Sequence, residues 1–176
     1  MLILEEYNHA RERGANILAE VTGYANYCDA HHATAPRPDG QPASWAIRDA
    51  LAQSGYRSGE DLYINAHGTG THLNDSAETA AIKLALGEED AHRASVSSTK
   101  SMTGHMIGAA GAVELLASAL ALHDGVIPPT IGLIHPDPLL DLDYTPLEAV
   151  ERPVTVAVSN SLGFGGHDAS VALRKI

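Results

Sequence analysis

Cysteine is nearly missing: the 176 residues hold one, Cys28. A disulfide framework within the chain is therefore excluded, and a reducing compartment, the cytoplasm, is the expected setting. Positive charge is scarce as well, with 11 Lys and Arg against 22 Asp and Glu and a formal net charge of −11. That balance argues against a nucleic-acid surface and against simple electrostatic steering towards an acidic partner. Arg11, Arg13 and Arg37 could form a local basic patch, although a solvated face is the plainer reading. No uninterrupted apolar run approaches the ~18 residues of a membrane span. MLILEEYNHARERG also lacks the basic-then-apolar layout of a secretion signal. Neither a membrane nor a nucleic acid is expected as a partner. The length suffices for one compact domain, residues 1–176, with a core of its own.

What is present alternates. MLILEEY reads as a strand, NHARERGA as a short polar turn or helix, and NILAEVTGYANY as a second strand. CDAHHATAPRPDGQP is a loop by its Pro, Gly and Asp. ASWAIRDALAQSG places Trp45, Ile47, Ala50 and Leu51 at helical spacing and ends at Gly55. DLYINAH is a strand running into GTGTHLND, where Asp75 or Ser76 is expected to cap the helix SAETAAIKLALG that Gly87 stops. ASVSST is another short strand. One helix is expected after Thr103, through Met106 to His123 (residues 104–123), apolar nearly all round and rich in Ala and Gly, the pattern of a helix buried on every side. VIPPTIGLIHPDPLLD is a proline-punctuated crossing and DLDYTP a candidate strand. VTVAVSNS and ASVALRKI read as two strands joined by the glycine loop LGFGGHD. Strands alternating with helices define an α/β class.

Three short stretches carry chemistry. His67 follows a strand and precedes Gly68-Thr69-Gly70-Thr71, and active-site groups in α/β folds favour the carboxyl ends of strands. The glycines permit close approach of a ligand and the threonines offer hydroxyls to amides or carbonyls; the plain alternative is a core histidine bonded to a carbonyl. Lys100 and His105 repeat the arrangement in SSTKSMTGH. A lysine beside an apolar helix needs a carboxylate, because an unpaired buried ammonium costs several kcal/mol, and Glu114 is the only acid in that helix. A histidine near a helix N-terminus tends towards the neutral imidazole, which can donate an N–H to a developing oxyanion. The plain alternative is a structural Lys–Glu pair with an incidental histidine. In SLGFGGHD, Gly163, Gly165 and Gly166 around Phe164 make a turn whose amides could line an oxyanion site, or simply a hairpin turn. No helix-opening GxGxxG is present, and the ten histidines show no metal-ligand spacing, so no metal is expected.

Taken together and in this order, AHGTGT, SSTKSMTGH with GAAGAVE, and NSLGFGG resemble the C-terminal half of the β-ketoacyl-[acyl-carrier-protein] synthases, most nearly the bacterial type II condensing enzymes. The resemblance implies a thiolase-like fold, one half of a layered αβαβα structure with a mixed sheet, usually found as a homodimer. It implies a decarboxylative Claisen condensation in fatty acid elongation: a cysteine thiolate takes the acyl group from an acyl carrier protein thioester. Malonyl-carrier protein then loses carbon dioxide and attacks the acyl-enzyme. On this resemblance His67 and His105 hold the malonyl thioester carbonyl as it becomes an enolate, and Lys100, paired with Glu114, is the active-site lysine. Thr69 and Thr71 bind the phosphopantetheine arm, which arrives on the acyl carrier protein, so no cofactor of the chain's own is expected. Phe164 is the gating phenylalanine between Gly163 and Gly165, its backbone N–H contributing to the oxyanion hole. His72 stands where the family often has proline, Leu162 replaces a common phenylalanine, and His167-Asp168 follows the loop where Thr-Asn is usual.

The family's nucleophilic cysteine lies in its N-terminal half, which is expected to be absent; Cys28, in YCDAHH, matches no nucleophile motif and reads as an inert thiol. Alone, the chain is expected to be unable to condense. Its apolar helix should then keep an open apolar patch, where the missing half or a second copy would sit. Two other readings stand beside this one. The first is a non-catalytic or split partner subunit, like a chain-length factor, of a fatty acid or polyketide synthase. The second is a fragment of a truncated gene.

Overall fold

The computed structural model describes residues 1–176. Its strands are β1 (Glu20–Cys28), β2 (Leu62–Asn65), β3 (Ser95–Ser97), β4 (Val126–Ile127), β5 (Val150–Glu151), β6 (Val156–Gly163) and β7 (His167–Arg174). Five form one sheet in the order β1-β7-β6-β2-β3, and β4 and β5 make a separate small ribbon. The glycine loop joins β6 to β7 as an antiparallel hairpin, β1 adds antiparallel to β7, and β2 and β3 run parallel to β6. The sheet is therefore mixed.

Alternation along the central strands builds a core on each face. Val156 and Val158 of β6 join Leu62 and Ile64 of β2 on one side, packing on Ile47, Ala50 and Leu51 of α2 (Gln41–Gln53) and Ala81 and Ile82 of α3 (His72–Leu86). Ala157, Tyr63 and Leu173 face the other way, onto Ala119 and Leu122 of α6 (Ala110–Asp124). Helices thus cover both faces of the sheet, the layered arrangement that such two-sided apolar strands require. The remaining helices are α1 (Tyr7–Glu12), α4 (Glu88–Arg93) and the single turn α5 (Lys100–Thr103).

One contact dictates a glycine. At Gly23, where the β1 register shifts, an added Cβ would lie 2.1 Å from the Ala50 carbonyl oxygen of α2. Gly23→Ala must push α2 off the sheet, and overpacking of this kind costs about 1–3 kcal/mol. A urea-unfolding midpoint equal to that of the parent chain would contradict this packing.

Several boundaries depart from the sequence reading. MLILEEY is not a strand: Met1, Ile3 and Leu4 are exposed, and α1 begins after Glu6, whose carboxylate caps it by accepting the His9 N–H at 2.9 Å. Helix α3 starts at His72 with Thr71 as its cap residue, so Asp75 lies inside the first turn, where a carboxylate suits the helix dipole, rather than before it. The expected helix 104–123 is broken: α5 ends at Gly104, a 3-10 turn spans Ile107–Ala109, and α6 begins at Ala110. It is also not covered all round, since Leu120 is exposed and Leu115 only partly buried. Ile107–Asp124 is apolar and long enough for a membrane span by composition, with a mean hydropathy of 1.3; here it packs on β2 and β6 and carries the buried Glu114. DLDYTP forms only isolated bridges, Asp143 to Ser95 and Pro146 to Thr130.

Candidate active site

Because β2, β3 and β6 are parallel, their carboxyl ends open on one edge of the sheet. His67 lies just beyond β2, Lys100 just beyond β3 and Phe164 just beyond β6. The chain's three chemical stretches converge there by topology, at the edge where α/β folds place ligands.

His67 is buried, and its position is set by a residue that the motif reading passed over. The Glu78 carboxylate on α3 accepts the backbone N–H of His67 at 2.8 Å and of Gly68 at 2.9 Å. It also accepts the Asn160 side-chain amide of β6 at 3.3 Å. Glu78 is itself buried; burial pushes its carboxyl up, and the two backbone N–H groups and Asn160 oppose that shift. The signal was available in sequence: Glu78 shares a helix face with Asn74, Ala81 and Ile82, an acid on the buried side. Ser98 Oγ closes the same turn by donating to the Gly68 carbonyl at 2.8 Å.

The His67 imidazole stands 5.4 Å from that of His105, centroid to centroid, with the rings nearly perpendicular at 82°. Burial, then the Lys100 charge and His105, bring the His67 pKa down to about 3, so the ring is neutral. Its Nδ1 is enclosed without a partner, which leaves Nε2 as the nitrogen through which the ring can meet a ligand. His105 is exposed and its Nδ1 accepts the Ile107 N–H at 3.1 Å. With Nδ1 accepting that backbone bond, the neutral ring carries its proton on Nε2, where it can be donated. Ile107 holds a φ of 52°, strained for a β-branched residue, directly beside this histidine.

Lys100 and Glu114 form a buried ion pair, Nζ to Oε1 2.5 Å. The pair is knitted into the sheet: Asn65 Nδ2 donates to the Glu114 carbonyl at 3.2 Å and to Thr99 Oγ1 at 3.3 Å. Thr69 and Thr71 face each other, hydroxyl to hydroxyl, at 2.9 Å. With Lys100, His105 and Ser98 they line a cavity of about 640 Å³ whose far wall is the crossing segment through Ile131, Leu140 and Tyr144.

The glycine loop reaches the same edge but not the cavity. Gly165 and Gly166 have positive φ, whereas Gly163 does not, and Phe164 is 78% exposed. The loop is tied instead to the segment after β1, through Gly165 N–H to the Ala33 carbonyl at 2.8 Å and Asp29 N–H to the Gly166 carbonyl at 2.9 Å. Cys28 ends β1 and is exposed, its Sγ 3.6 Å from the Gly165 carbonyl oxygen and bonded to neither histidine.

A mixed sheet with helices on both faces is the architecture of the thiolase-like ketosynthases. Two solved structures share it. A ketosynthase in complex with its type II polyketide acyl-carrier protein superimposes with a TM-score of 0.93 at 40% identity, over 98% of this chain and 42% of the other. A β-ketoacyl synthase from Burkholderia phymatum gives 0.88 at 35% identity, over 98% and 41%. Residues 18–133 match the family described as beta-ketoacyl synthase, C-terminal domain, and the chain belongs to that family. It is 52% identical to 3-oxoacyl-[acyl-carrier-protein] synthase 2 of Synechocystis sp. and 47% identical to that of Staphylococcus aureus, each over 175 residues. The chain spans 42% of the length of both proteins.

Proposed function

We propose that this chain supplies the carbonyl-activating half of a decarboxylative Claisen condensation between a malonyl thioester and an acyl-enzyme. The observation that carries the reading is the pair of imidazoles 5.4 Å apart, one of them held neutral beside a buried lysine. As the malonyl carboxylate leaves as carbon dioxide, the electron pair of the broken C–C bond moves into an enolate whose oxygen takes hydrogen bonds from His67 and His105. The enolate carbon then attacks the acyl thioester, and the cysteine thiolate departs as the β-ketoacyl product forms. A neutral His67 donates without first holding a charge, and donors fixed where negative charge develops each contribute about 3 kcal/mol.

Lys100 acts through its charge. Paired with Glu114, it adds to the burial that keeps His67 neutral and biases the cavity towards an anionic substrate. Thr69 and Thr71 offer hydroxyls to the amides of a phosphopantetheine arm carried by an acyl carrier protein. The acyl-bearing cysteine comes from outside these 176 residues, because the chain's one thiol, Cys28, lies against the Gly165 carbonyl and is bonded to neither imidazole. A reducing, cytoplasmic setting suits a chain whose one thiol is exposed. The neutral-imidazole site argues against a purely non-catalytic partner subunit, which needs neither histidine.

Incubation with an acyl-carrier-protein thioester, followed by intact mass measurement, is expected to show no acyl adduct on this chain. A non-decarboxylating malonyl-thioester analogue should shift the ring resonances of His67 and His105 ahead of those of the other histidines. A stable thioester on Cys28, or an analogue that leaves both rings unmoved, would contradict the assignment.

A further inference from the structure

The cavity is bounded on one side by α3, through Thr79 and Ile82, and on the other by the crossing segment, through Leu133, Leu140 and Tyr144. How far that segment stands from α3 therefore sets the width of the site. The segment is an Ω-like excursion closed at its base, where the Thr130 N–H donates to the Thr145 carbonyl at 2.9 Å and the Leu147 N–H to the Thr130 carbonyl at 3.1 Å. One row of α3 grips its return leg: Thr79 and Lys83, a turn apart, meet Tyr144 and Asp141. Thr79 Oγ1 donates to the Asp75 carbonyl at 2.7 Å, so the Tyr144 hydroxyl is the donor in the 2.6 Å bond between them. Lys83 Nζ lies 2.6 Å from Asp141 Oδ1.

The second Asp141 oxygen is taken from α4. His92 Nε2 is 3.3 Å from Asp141 Oδ2, and His92 Nδ1 is 2.7 Å from the Glu88 carbonyl oxygen. Both partners can only accept, since the bond from Lys83 holds the Asp141 carboxyl below the usual carboxylate range and thus ionised. A neutral ring carries one N–H, so serving both bonds requires the imidazolium. We propose that His92, as an imidazolium, and Lys83 clasp Asp141 and so hold the crossing segment at the width a thioester arm needs, which makes His92 a positioning residue for substrate binding. What the cavity receives rests on the condensing role proposed above; the clasp itself does not. The neighbouring charges are placed as follows. Lys83 also reaches Glu88 Oε2 at 3.3 Å, which stands 3.6 Å from His92 Nδ1. Asp90 takes Arg93 and the Gly59 N–H, Asp143 takes Arg152, and Asp137 accepts the Leu139 N–H. On α3 Asp75 takes Asn74 and Glu78 the His67 turn, while Glu89 and His135 are exposed.

The Glu88 carbonyl, then Asp141, hold the His92 ring above the ordinary histidine value, against burial and the Lys83 charge. A raised native value means that the clasp is complete below about 6.5 and is lost as pH rises through that native value. The His92 and Asp141 side chains are 43% and 46% exposed, so water screens the pair and effects of about two- to fivefold are expected. Two readouts without substrate test the clasp. The His92 ring nitrogens should both be protonated near pH 6, with a midpoint above about 6.5 that Asp141→Asn lowers. The Leu140 amide, which donates to the Asp137 carbonyl at 2.9 Å beside the clasp, should lose protection about two- to fivefold from about pH 6 to pH 9, corrected for intrinsic exchange. His92→Ala should erase that dependence. A neutral ring near pH 6, a midpoint unmoved by Asp141→Asn, or Leu140 protection indifferent to His92→Ala overturns the clasp. In the assembled enzyme His92→Ala should raise KM for malonyl-carrier protein about two- to fivefold near pH 6 and leave kcat unchanged, the difference from the parent closing as pH rises. A lower kcat at unchanged KM overturns the positioning role. A parent assembly that fails to condense while both substrate-free readouts hold would contradict the catalytic reading and support the clasp.

Discussion

Glu114→Ala is expected to lower the unfolding free energy by about 3–5 kcal/mol, a loss large enough to leave much of the chain unfolded. The reason is not the strength of the ion pair as such. Lys100 and Glu114 are both buried, and removing the carboxylate strands an ammonium against β2, Asn65 and the apolar side of α6. Replacing both members by apolar residues of similar size, Lys100→Met with Glu114→Leu, should recover most of the stability, because the desolvation of two ions disappears along with their attraction. Chemical denaturation of the single and double variants tests this directly. A double variant as unstable as Glu114→Ala would show that the pair contributes net stability in its own right. If the pair is there for chemistry, the double variant should fold and yet fail in the assembled enzyme, since nothing then keeps a positive charge beside His67.

The second large effect falls on His67. In an assembly that includes the nucleophilic cysteine, His67→Ala should lower kcat about 10²–10³-fold, the usual loss when one fixed oxyanion donor is removed. The same residue makes the fold acid-sensitive. Its pKa falls from the ordinary histidine value to about 3 on burial, so below about 6.5 the unfolded chain takes up a proton that the native one refuses. Stability should therefore decline as pH drops from about 6.5 towards 3, with no contribution above that window, and His67→Gln should remove that part of the decline. A variant with the full acid sensitivity of the parent would contradict the burial of a neutral ring.

Much of this was legible in the residues, and unevenly so. The β6–β7 hairpin and helices α2 and α3 follow from period and punctuation, because alternating valines and a glycine stop report local geometry. The Lys100 to Glu114 contact was legible for a different reason: one acid in an apolar helix has few places to find a cation. What escaped depends on neighbours distant in sequence. MLILEEY has strand-forming residues but no partner strand, and DLDYTP meets β3 at a single bridge. The break between α5 and α6 is hidden because its apolar residues continue the helical pattern across a left-handed Gly104 and a strained Ile107. Glu78 was missed because attention to motifs favours the side chain that reacts over the one that accepts its backbone N–H.

The glycine loop shows the same division. Its turn was evident from Gly165 and Gly166, but its attachment to Asp29 and Ala33 needs the pairing of β1 with β7, a contact between the two ends of the chain. Phe164 is accordingly exposed in this structure, while His105, Lys100, Thr69 and Thr71 line the cavity.

The central claim is that His67 and His105 serve the thioester carbonyl and not the nucleophile. It is tested most directly by measuring the two half-reactions separately in the assembled enzyme carrying His67→Ala together with His105→Ala. Acyl transfer from the carrier protein to the cysteine should persist near the parent rate, while release of carbon dioxide from malonyl-carrier protein collapses. Loss of acyl transfer with carbon dioxide release intact would contradict the account.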